Sequence, residues 1–235
     1  MGLFPQLIAE KAVEYGGKVR VLAPEVAHRI AAGEVIERPA SAVKELIENA
    51  LDAGASRVEV EIGGGGISLI RVRDDGSGMS PEDAARAVGR HATSKILTAD
   101  DLAHVDTLGF RGEALHAIGA VSSLTLTTRE RGNELGARVG VFAGEMVESV
   151  PAAHPPGTTV EVHNLFLNLP VRRGFLGTER AEVNAVSTVV ESLALSRSGV
   201  GFSLRLGDQG FLCPLGRGDD YGWAGRLQYV PVYLT

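Results

Sequence analysis

Residues 44–62, KELIENALDAGASRVEVEI, contain a helix pattern that is followed at once by a strand pattern. In residues 43–51 the apolar side chains recur at i, i+3, i+4, i+7 and i+8, which places them on one stripe of a helix. Gly54 is of the residue type that commonly ends a helix. Valine and isoleucine then alternate with glutamate through residues 58–62, as in a strand with one buried face. The stretch therefore predicts a helix that packs against a sheet.

The predicted helix begins near Pro39, with Ser41 as a candidate N-cap, and ends at Gly54. Glu45 and Asn49 are four residues apart, so their side chains are stacked at the edge of the apolar stripe. The members of that stripe are Val43, Leu46, Ile47, Ala50 and Leu51.

The rest of the chain continues the sheet. A turn at residues 63–66 joins the first strand to a second at 67–73, which predicts a β-hairpin. Strands joined mostly by hairpins and followed by helices predict an α+β fold, a two-layer sandwich with a mixed, mainly antiparallel sheet. Further strands are predicted at residues 124–128, 137–142, 158–162 and 202–206, and further helices at 24–33, 81–88, 113–118 and 179–196.

Composition limits the class of protein. The chain has 235 residues, 44% hydrophobic and 22% charged, which suits one large folded domain, or one domain and the start of a second. A formal net charge of −6 disfavours a surface that binds nucleic acid all over. Cys213 is the only cysteine, which excludes an internal disulfide and a multi-cysteine metal site. No run approaches the roughly 20 apolar residues of a membrane-spanning helix, and the first residues do not resemble a secretion signal. We therefore expect a cytoplasmic protein with no membrane association.

Asp74 is followed by the turn Gly76-Ser77-Gly78 at the predicted end of a strand. A carboxylate there can accept a hydrogen bond from an exocyclic amine such as that of adenine, while the glycines allow a flat ring to approach the backbone. Guanine would present a carbonyl oxygen, which the carboxylate would repel. An ordinary Asx turn after a strand is the alternative explanation of the same residues.

Glu45 and Asn49 have the chemistry that hydrolysis of a phosphoanhydride requires. A carboxylate can orient and deprotonate water, and an amide oxygen can be the single protein ligand of a Mg²⁺ ion whose other ligands are water and phosphate. The alternative is a solvated helix face that also includes Glu48 and Asp52.

A further segment has the composition of a phosphate-binding flap. Gly109, Phe110, Arg111 and Gly112 precede a predicted short helix, and free backbone N–H groups ahead of a helix can bind phosphate. Arg111 and Lys95 add positive charge. Neither a P-loop nor a Rossmann glycine signature is present, and the six histidines have no metal-binding spacing.

Two weaker candidates complete the set. Thr158 and Thr159 supply hydroxyl groups at the start of a predicted strand, although threonine is also a good strand former. Arg172 and Arg173 form a small basic patch that could contact a DNA backbone or could simply be solvated.

Taken in order, five stretches resemble the MutL family of DNA mismatch repair proteins, which belongs to the ATPase superfamily shared with gyrase, heat-shock chaperones and histidine kinases. The resemblance covers about residues 19–207 and predicts an ATP-binding domain there, after an extension at 1–18 and before an irregular tail at 208–235 where a second domain would begin. The stretches are Ile30–Pro39 (IAAGEVIERP), Lys44–Gly54 (KELIENALDAG), Asp74–Gly78 (DDGSG), His91–Lys95 (HATSK) and Gly109–Leu115 (GFRGEAL).

The resemblance implies a role for each matching residue. Glu45 would be the general base, Asn49 the Mg²⁺ ligand and Asp74 the adenine contact, with Gly76 and Gly78 beside it. The lid over the phosphates and the support of the adenine pocket would be supplied by Thr93, Ser94, Lys95, Gly109, Phe110, Arg111 and Gly112, and by Thr159.

The same resemblance implies that Arg172 and Arg173 lie in a basic motif that contacts DNA. Leu167, Leu169 and Gly174 depart from the tyrosine, threonine and lysine that this motif usually has.

At the level of activity, the resemblance implies ATP and Mg²⁺ as cofactors. ATP binding would order the lid and bring two N-terminal domains together as a homodimer, and hydrolysis would reset a clamp on DNA. The implied partners are a MutS-type mismatch sensor, DNA and downstream excision enzymes, and the implied location is the nucleoid within the cytoplasm. Two other interpretations stay open, namely a non-catalytic ATP-gated interaction module and the ATPase part of a gyrase or chaperone.

Overall fold

A computed structural model of the protein describes residues 34–89 and 112–207, together with the backbone of residues 213–215. The strands in these ranges are β1 (Arg57–Gly63), β2 (Leu69–Asp74), β3 (Ser123–Arg129), β4 (Gly136–Phe142), β5 (Glu145–Ala152), β6 (Gly157–His163), β7 (Gly201–Leu206) and β8 (Cys213–Leu215). The helices are α1 (Pro39–Asp52), α2 (Pro81–Ala87), α3 (Ala114–Ala120), α4 (Pro170–Gly174) and α5 (Glu179–Ser196).

The strands form one mixed sheet with the order β5-β4-β3-β6-β2-β1-β7-β8. β1 and β7 run parallel, and the other neighbouring pairs are antiparallel. Helices α1, α2, α3 and α5 pack against strands of this sheet, and the buried apolar side chains of the strands form the core with them. The predicted α+β sandwich with a mainly antiparallel sheet is therefore confirmed.

Helix α1 begins and ends at slightly different residues from those predicted. Arg38 is its N-cap and makes no side-chain cap hydrogen bond, so the prediction of Ser41 as the N-cap was wrong. Pro39 suits the first helical position because it lacks the N–H group that would have no partner there. The helix ends at Asp52, and Gly54 follows with a φ of 71°. The predicted stripe is buried at Val43, Leu46, Ile47 and Ala50, and half-buried at Leu51.

An ion pair fixes the start of α1 to α5. Arg38 donates from Nε and from one terminal nitrogen to the two carboxylate oxygens of Glu182, at 3.1 and 3.0 Å. Glu182 is 1% exposed and also accepts the N–H of Gly177 at 2.9 Å. Because an unpaired buried carboxylate is costly, these bonds hold the two helices in one relative position.

Three features differ from the prediction. Strand β5 was missed because most of its residues are exposed, so it has no alternating apolar pattern. The short helix α4 was also missed. Strand β8 pairs with β7 and extends the sheet past residue 207, the predicted domain boundary.

Within the described ranges, the structure contains no helix with the length and apolar character that crossing a membrane requires.

Candidate functional site

Asp74 is the last residue of β2, and its side chain lies on the helix-covered face of the sheet, in line with buried Ile70 and Val72. Its Oδ1 accepts the N–H of Gly76 at 2.8 Å. Burial raises the pKa of Asp74 to about 6, although the backbone N–H groups of Gly76 and Thr158 act to lower it. The Asx turn is thus present, and a carboxylate has acceptor capacity beyond these two backbone bonds.

The loop after β2 is held from two sides. Ser77 donates its N–H to the carbonyl of Ala53 at the end of α1 at 2.9 Å, and its own carbonyl accepts the N–H of Arg131 at 3.1 Å. The N–H of Met79 is bonded to Oγ1 of Thr128 at 3.0 Å. The end of α1 and the end of β3 therefore meet at the Gly-Ser-Gly loop.

Both glycines of the loop are required by contacts within the protein. A Cβ atom on Gly76 would lie 2.9 Å from the carbonyl oxygen of Ala53. Gly78 has a φ of 70°, and a Cβ atom there would overlap the carbonyl group of Arg129. These contacts explain the two glycines without a ligand, so their role in admitting a flat ring stays a prediction.

Asp75 has a structural role beside the candidate site. Its Oδ1 accepts the N–H groups of Ser56 and Arg57 at 2.7 and 2.8 Å, and its Oδ2 accepts the Ser56 hydroxyl at 2.5 Å. Although burial acts to raise it, these hydrogen bonds lower the pKa of Asp75 below its ordinary value. The side chain thereby fastens the start of β1 to the end of β2.

Glu45 and Asn49 are half-buried on α1, the helix that ends at the loop. The loop anchor Ala53 comes one helical turn after Asn49 and two turns after Glu45. Along the helix axis, Asn49 is therefore about 6 Å and Glu45 about 12 Å from Ala53. That the two side chains share a site with Asp74 stays a prediction. Glu48 is only 6% exposed and is paired with Lys44 at 2.7 Å, so it is not part of a solvated face.

The structure corrects the choice between the two threonines. Thr158 is the register partner of Asp74 on β2, so these side chains share one face of the sheet. Thr159 pairs with Arg73 on the opposite face, and its Oγ1 is bonded to Nε2 of His154 at 2.8 Å. The assignment of Thr159 to the pocket was therefore wrong, because successive strand residues point to opposite faces.

Thr128 joins the candidate site and was not singled out from the sequence. It is fully buried at the end of β3 and is the register partner of Thr158. Alternation with Leu124 and Leu126 places Thr128 on the buried face of β3, but only the pairing with β6 shows that it lies beside Thr158.

Most of the predicted lid lies outside the described residues, namely Thr93, Ser94, Lys95, Gly109, Phe110 and Arg111. Gly112 is described and has a φ of 61°, which favours glycine. It lies two residues before α3, which begins at Ala114 close to the predicted start. The lid itself stays a prediction.

Arg172 and Arg173 lie at the other end of the sheet. Both are on α4, which follows the last residue of β6, whereas Asp74 pairs with the second residue of β6. A strand of this length spans about 20 Å, so the two arginines do not belong to the region around Asp74.

No group of three or more histidine, cysteine, aspartate or glutamate side chains is arranged to hold a metal ion in the described part of the chain. The predicted Mg²⁺ ligand does not require such a group, because Mg²⁺ keeps water and phosphate oxygens and needs only one or two protein ligands.

Residues 36–161 match the family described as histidine kinase-, DNA gyrase B-, and HSP90-like ATPase. The matched segment contains α1, the hairpin β1–β2 and the loop after Asp74, which are the elements that build the candidate site. Its last residues lie in β6, so it also includes both threonines discussed above.

DNA mismatch repair proteins are among the proteins similar to this chain. The protein named DNA mismatch repair protein MutL from Xanthomonas oryzae is 54% identical over 182 residues, which are 77% of this chain and 29% of that protein. Its namesake from Pseudomonas fluorescens is 47% identical over 216 residues, 92% of this chain and 34% of that protein. The chain thus spans about a third of the length of the curated relatives it matches.

A solved structure has the same fold. The Aquifex aeolicus MutL ATPase domain complexed with ADP superposes with a TM-score of 0.65 at 37% identity, over 78% of this chain and 65% of that one.

Proposed function

Because this chain belongs to the histidine kinase-, DNA gyrase B- and HSP90-like ATPase family, and within it to the MutL group, we propose that it binds and hydrolyses ATP as the N-terminal region of a DNA mismatch repair protein. The observation that carries the proposal is the environment of Asp74. Its carboxylate is half-buried at a strand end, beside the hydroxyl-bearing Thr158 and next to the anchored Gly-Ser-Gly loop. Such a carboxylate suits the exocyclic amine of adenine.

The phosphate end of the nucleotide would lie along α1. Asn49 would hold Mg²⁺ through its amide oxygen, and the bound ion would neutralise charge on the phosphates. Glu45, one turn earlier, would orient the attacking water and accept its proton. The fit rests on the donor set, since an amide oxygen is a hard ligand and both side chains are half-buried on one helix.

The finer parts of the proposal concern the lid and the partners. Residues 93–95 and 109–112 would close over the phosphates when ATP binds, and closure would favour pairing with a second copy of the domain. The whole protein would couple a MutS-type mismatch sensor to strand excision on DNA, in the bacterial cytoplasm. Residues Arg172 and Arg173 would contribute to DNA contact away from the nucleotide.

Calorimetric titration of the purified chain with ADP and Mg²⁺ tests the binding site. The parent chain should bind, and Asp74→Asn should lose at least about tenfold in affinity, because the amide can turn a donor toward the adenine amine. The matched control is Glu59→Gln, a charged residue on the opposite face of the sheet, which should change the affinity less than about twofold. Equal losses in the two variants would contradict the proposal.

Single-turnover hydrolysis separates an ATPase from an ATP-gated binding module. The ATPase proposal predicts that Glu45→Ala abolishes phosphate release while nucleotide binding persists. The absence of turnover in the parent chain, with binding intact, would favour the module.

A further inference from the structure

The hydroxyl of Thr128 has three hydrogen-bond partners, each 3.0 Å from its Oγ1. These are the N–H of Met79, the carbonyl oxygen of Gly157 and Oγ1 of Thr158. Thr128 is 0% exposed, so these partners satisfy it without access to bulk water. A single side chain thus connects the Gly-Ser-Gly loop with the first residues of β6.

The number of protons decides the direction of each bond. A threonine hydroxyl has one proton to donate and two lone pairs that accept. The carbonyl of Gly157 can only accept, so the proton of Thr128 goes to it, and the N–H of Met79 can only donate, so it takes one lone pair. The second lone pair is left for Thr158, which therefore donates its own proton to Thr128.

We propose that Thr128 is a positioning residue that sets the nucleobase preference of the site by making the Thr158 hydroxyl an acceptor only. This inference rests on the proposed function, since it assigns the polarity of the same nucleotide site. Thr158 has used its proton on Thr128, so toward a ligand it offers lone pairs. Thr128 itself does not touch the nucleotide.

The chemical consequence is a site with two acceptors side by side. The Asp74 carboxylate and the Thr158 hydroxyl lie on one face of the sheet as register partners. A 6-amino purine can donate both protons of its exocyclic amine to the two acceptors. A 6-oxo purine presents an acceptor there and has a single donor, N1–H, on the same edge, so at least one acceptor stays unpaired. An unpaired buried polar group of this kind costs about 1–3 kcal/mol, which is about 5- to 150-fold in affinity.

The test compares binding of ADP and inosine diphosphate, both with Mg²⁺, to the full chain and to Thr128→Val and Thr128→Ser. In the parent chain the dissociation constant for inosine diphosphate should exceed that for ADP about tenfold or more. Thr128→Val removes the acceptor of the Thr158 hydroxyl proton, so Thr158 becomes able to donate to a ligand. The ratio of the two dissociation constants, inosine diphosphate over ADP, should therefore fall about fivefold or more. Thr128→Ser keeps the hydroxyl and should stay within about twofold of the parent. A purely structural role of Thr128 would weaken both nucleotides equally and leave the ratio unchanged, which would overturn the inference.

A second variant tests the same inference without altering Thr128. Thr158→Val leaves Asp74 as the one acceptor, which the single N1–H of inosine diphosphate can satisfy, so the ratio should again narrow. A wider ratio would mean that Thr158 donates to the ligand, and an unchanged ratio would mean that it contacts neither ligand, so each of these results overturns the inference. If the parent chain binds no ADP, the proposed function fails and the inference fails with it. If the parent chain binds ADP and the ratio of the two dissociation constants is unaltered in the variants, the inference is contradicted and the proposed function is not.

Discussion

The guanidinium of Arg38 and the carboxylate of Glu182 form a two-point ion pair that joins the residue before α1 to the first turn of α5. Arg38 belongs to the stretch that ends at Pro39, whereas Glu182 lies 144 residues further along the chain. The pair therefore fixes the position of the helix that carries the candidate catalytic residues. Loss of this ion pair should therefore lower the stability of the fold more than it lowers the affinity for nucleotide.

Arg38→Ala should lower the free energy of unfolding by about 2–3 kcal/mol, because it leaves the buried carboxylate of Glu182 with only the N–H of Gly177. The side chain of Arg38 is 43% exposed, so the effect should fall below that of a fully buried pair. The matched control is Arg57→Ala, whose pair with Glu59 is 69% exposed on the arginine side and should contribute less than about 1 kcal/mol. Urea unfolding measures both, and equal effects would show that the buried pair has no special role.

Asp74→Asn should stabilise the fold at neutral pH. The folded pKa of about 6 lies above the ordinary 3.8, so the protonated carboxyl contributes stability that is complete below pH 4 and is lost as the pH rises through 6. The amide is neutral throughout, so the variant should exceed the parent by as much as roughly 3 kcal/mol at pH 7 and by little at pH 4. Unfolding experiments at both pH values check this, and a gain independent of pH would contradict it.

Asp75→Asn should show the opposite sign. The lowered pKa of Asp75 means that its ionised form stabilises the fold above the ordinary pKa, and that this contribution is lost as the pH falls through and below 4. The variant should therefore be less stable than the parent at pH 7, and the difference should shrink on acidification. If both neighbouring aspartates respond alike, the separation of their roles is wrong.

Gly78→Ala should destabilise the chain and weaken nucleotide binding together, because the methyl group would overlap the carbonyl of Arg129 and displace the loop. Gly132→Ala is the matched control: Gly132 also has a positive φ, 98°, but a Cβ atom there meets nothing within 4 Å. Both variants share the backbone strain of about 1–3 kcal/mol, so the difference between them measures the overlap. Thermal unfolding and ADP titration should place Gly78→Ala well below the control.

The double variant with Arg172→Ala and Arg173→Ala should leave the affinity for ADP within about twofold of the parent, since α4 lies beyond the far end of β6. If these residues contact DNA, the variant should bind duplex DNA more weakly, with a salt dependence reduced by about one to two counterions. Fluorescence anisotropy at several salt concentrations measures this. Unchanged DNA affinity would remove the two arginines from the DNA contact.

Much of the fold could be predicted because its central strands have one buried face. Residues 58, 60 and 62 of β1 are buried and alternate with glutamates, and α5 was predicted over the same residues that the structure gives, 179–196. Strand β5 could not be predicted in this way, since an edge strand with both faces largely exposed needs no alternation.

The candidate site was predictable only where chemistry and local spacing coincide. Asp74 ends a strand and precedes a glycine turn, so its position follows from nearby residues. Alternation within each strand places Thr158 and Thr128 on the buried face, but their position next to Asp74 depends on how β6 aligns with β2 and β3. That alignment joins residues 30 and more apart in sequence, which a local pattern does not contain.

The two adjacent threonines of β6 bear on how this strand can pair in the wrong register. A shift of β6 by one residue would still present a threonine next to Asp74, so the contact between a threonine and Asp74 cannot by itself enforce the correct alignment. That task falls to Val160 and Val162, which would be turned into water while Glu161 and His163 were forced into the core. Polar substitutions at those two valines would therefore disturb the proposed recognition of the base by allowing β6 to shift, although neither side chain carries a functional group.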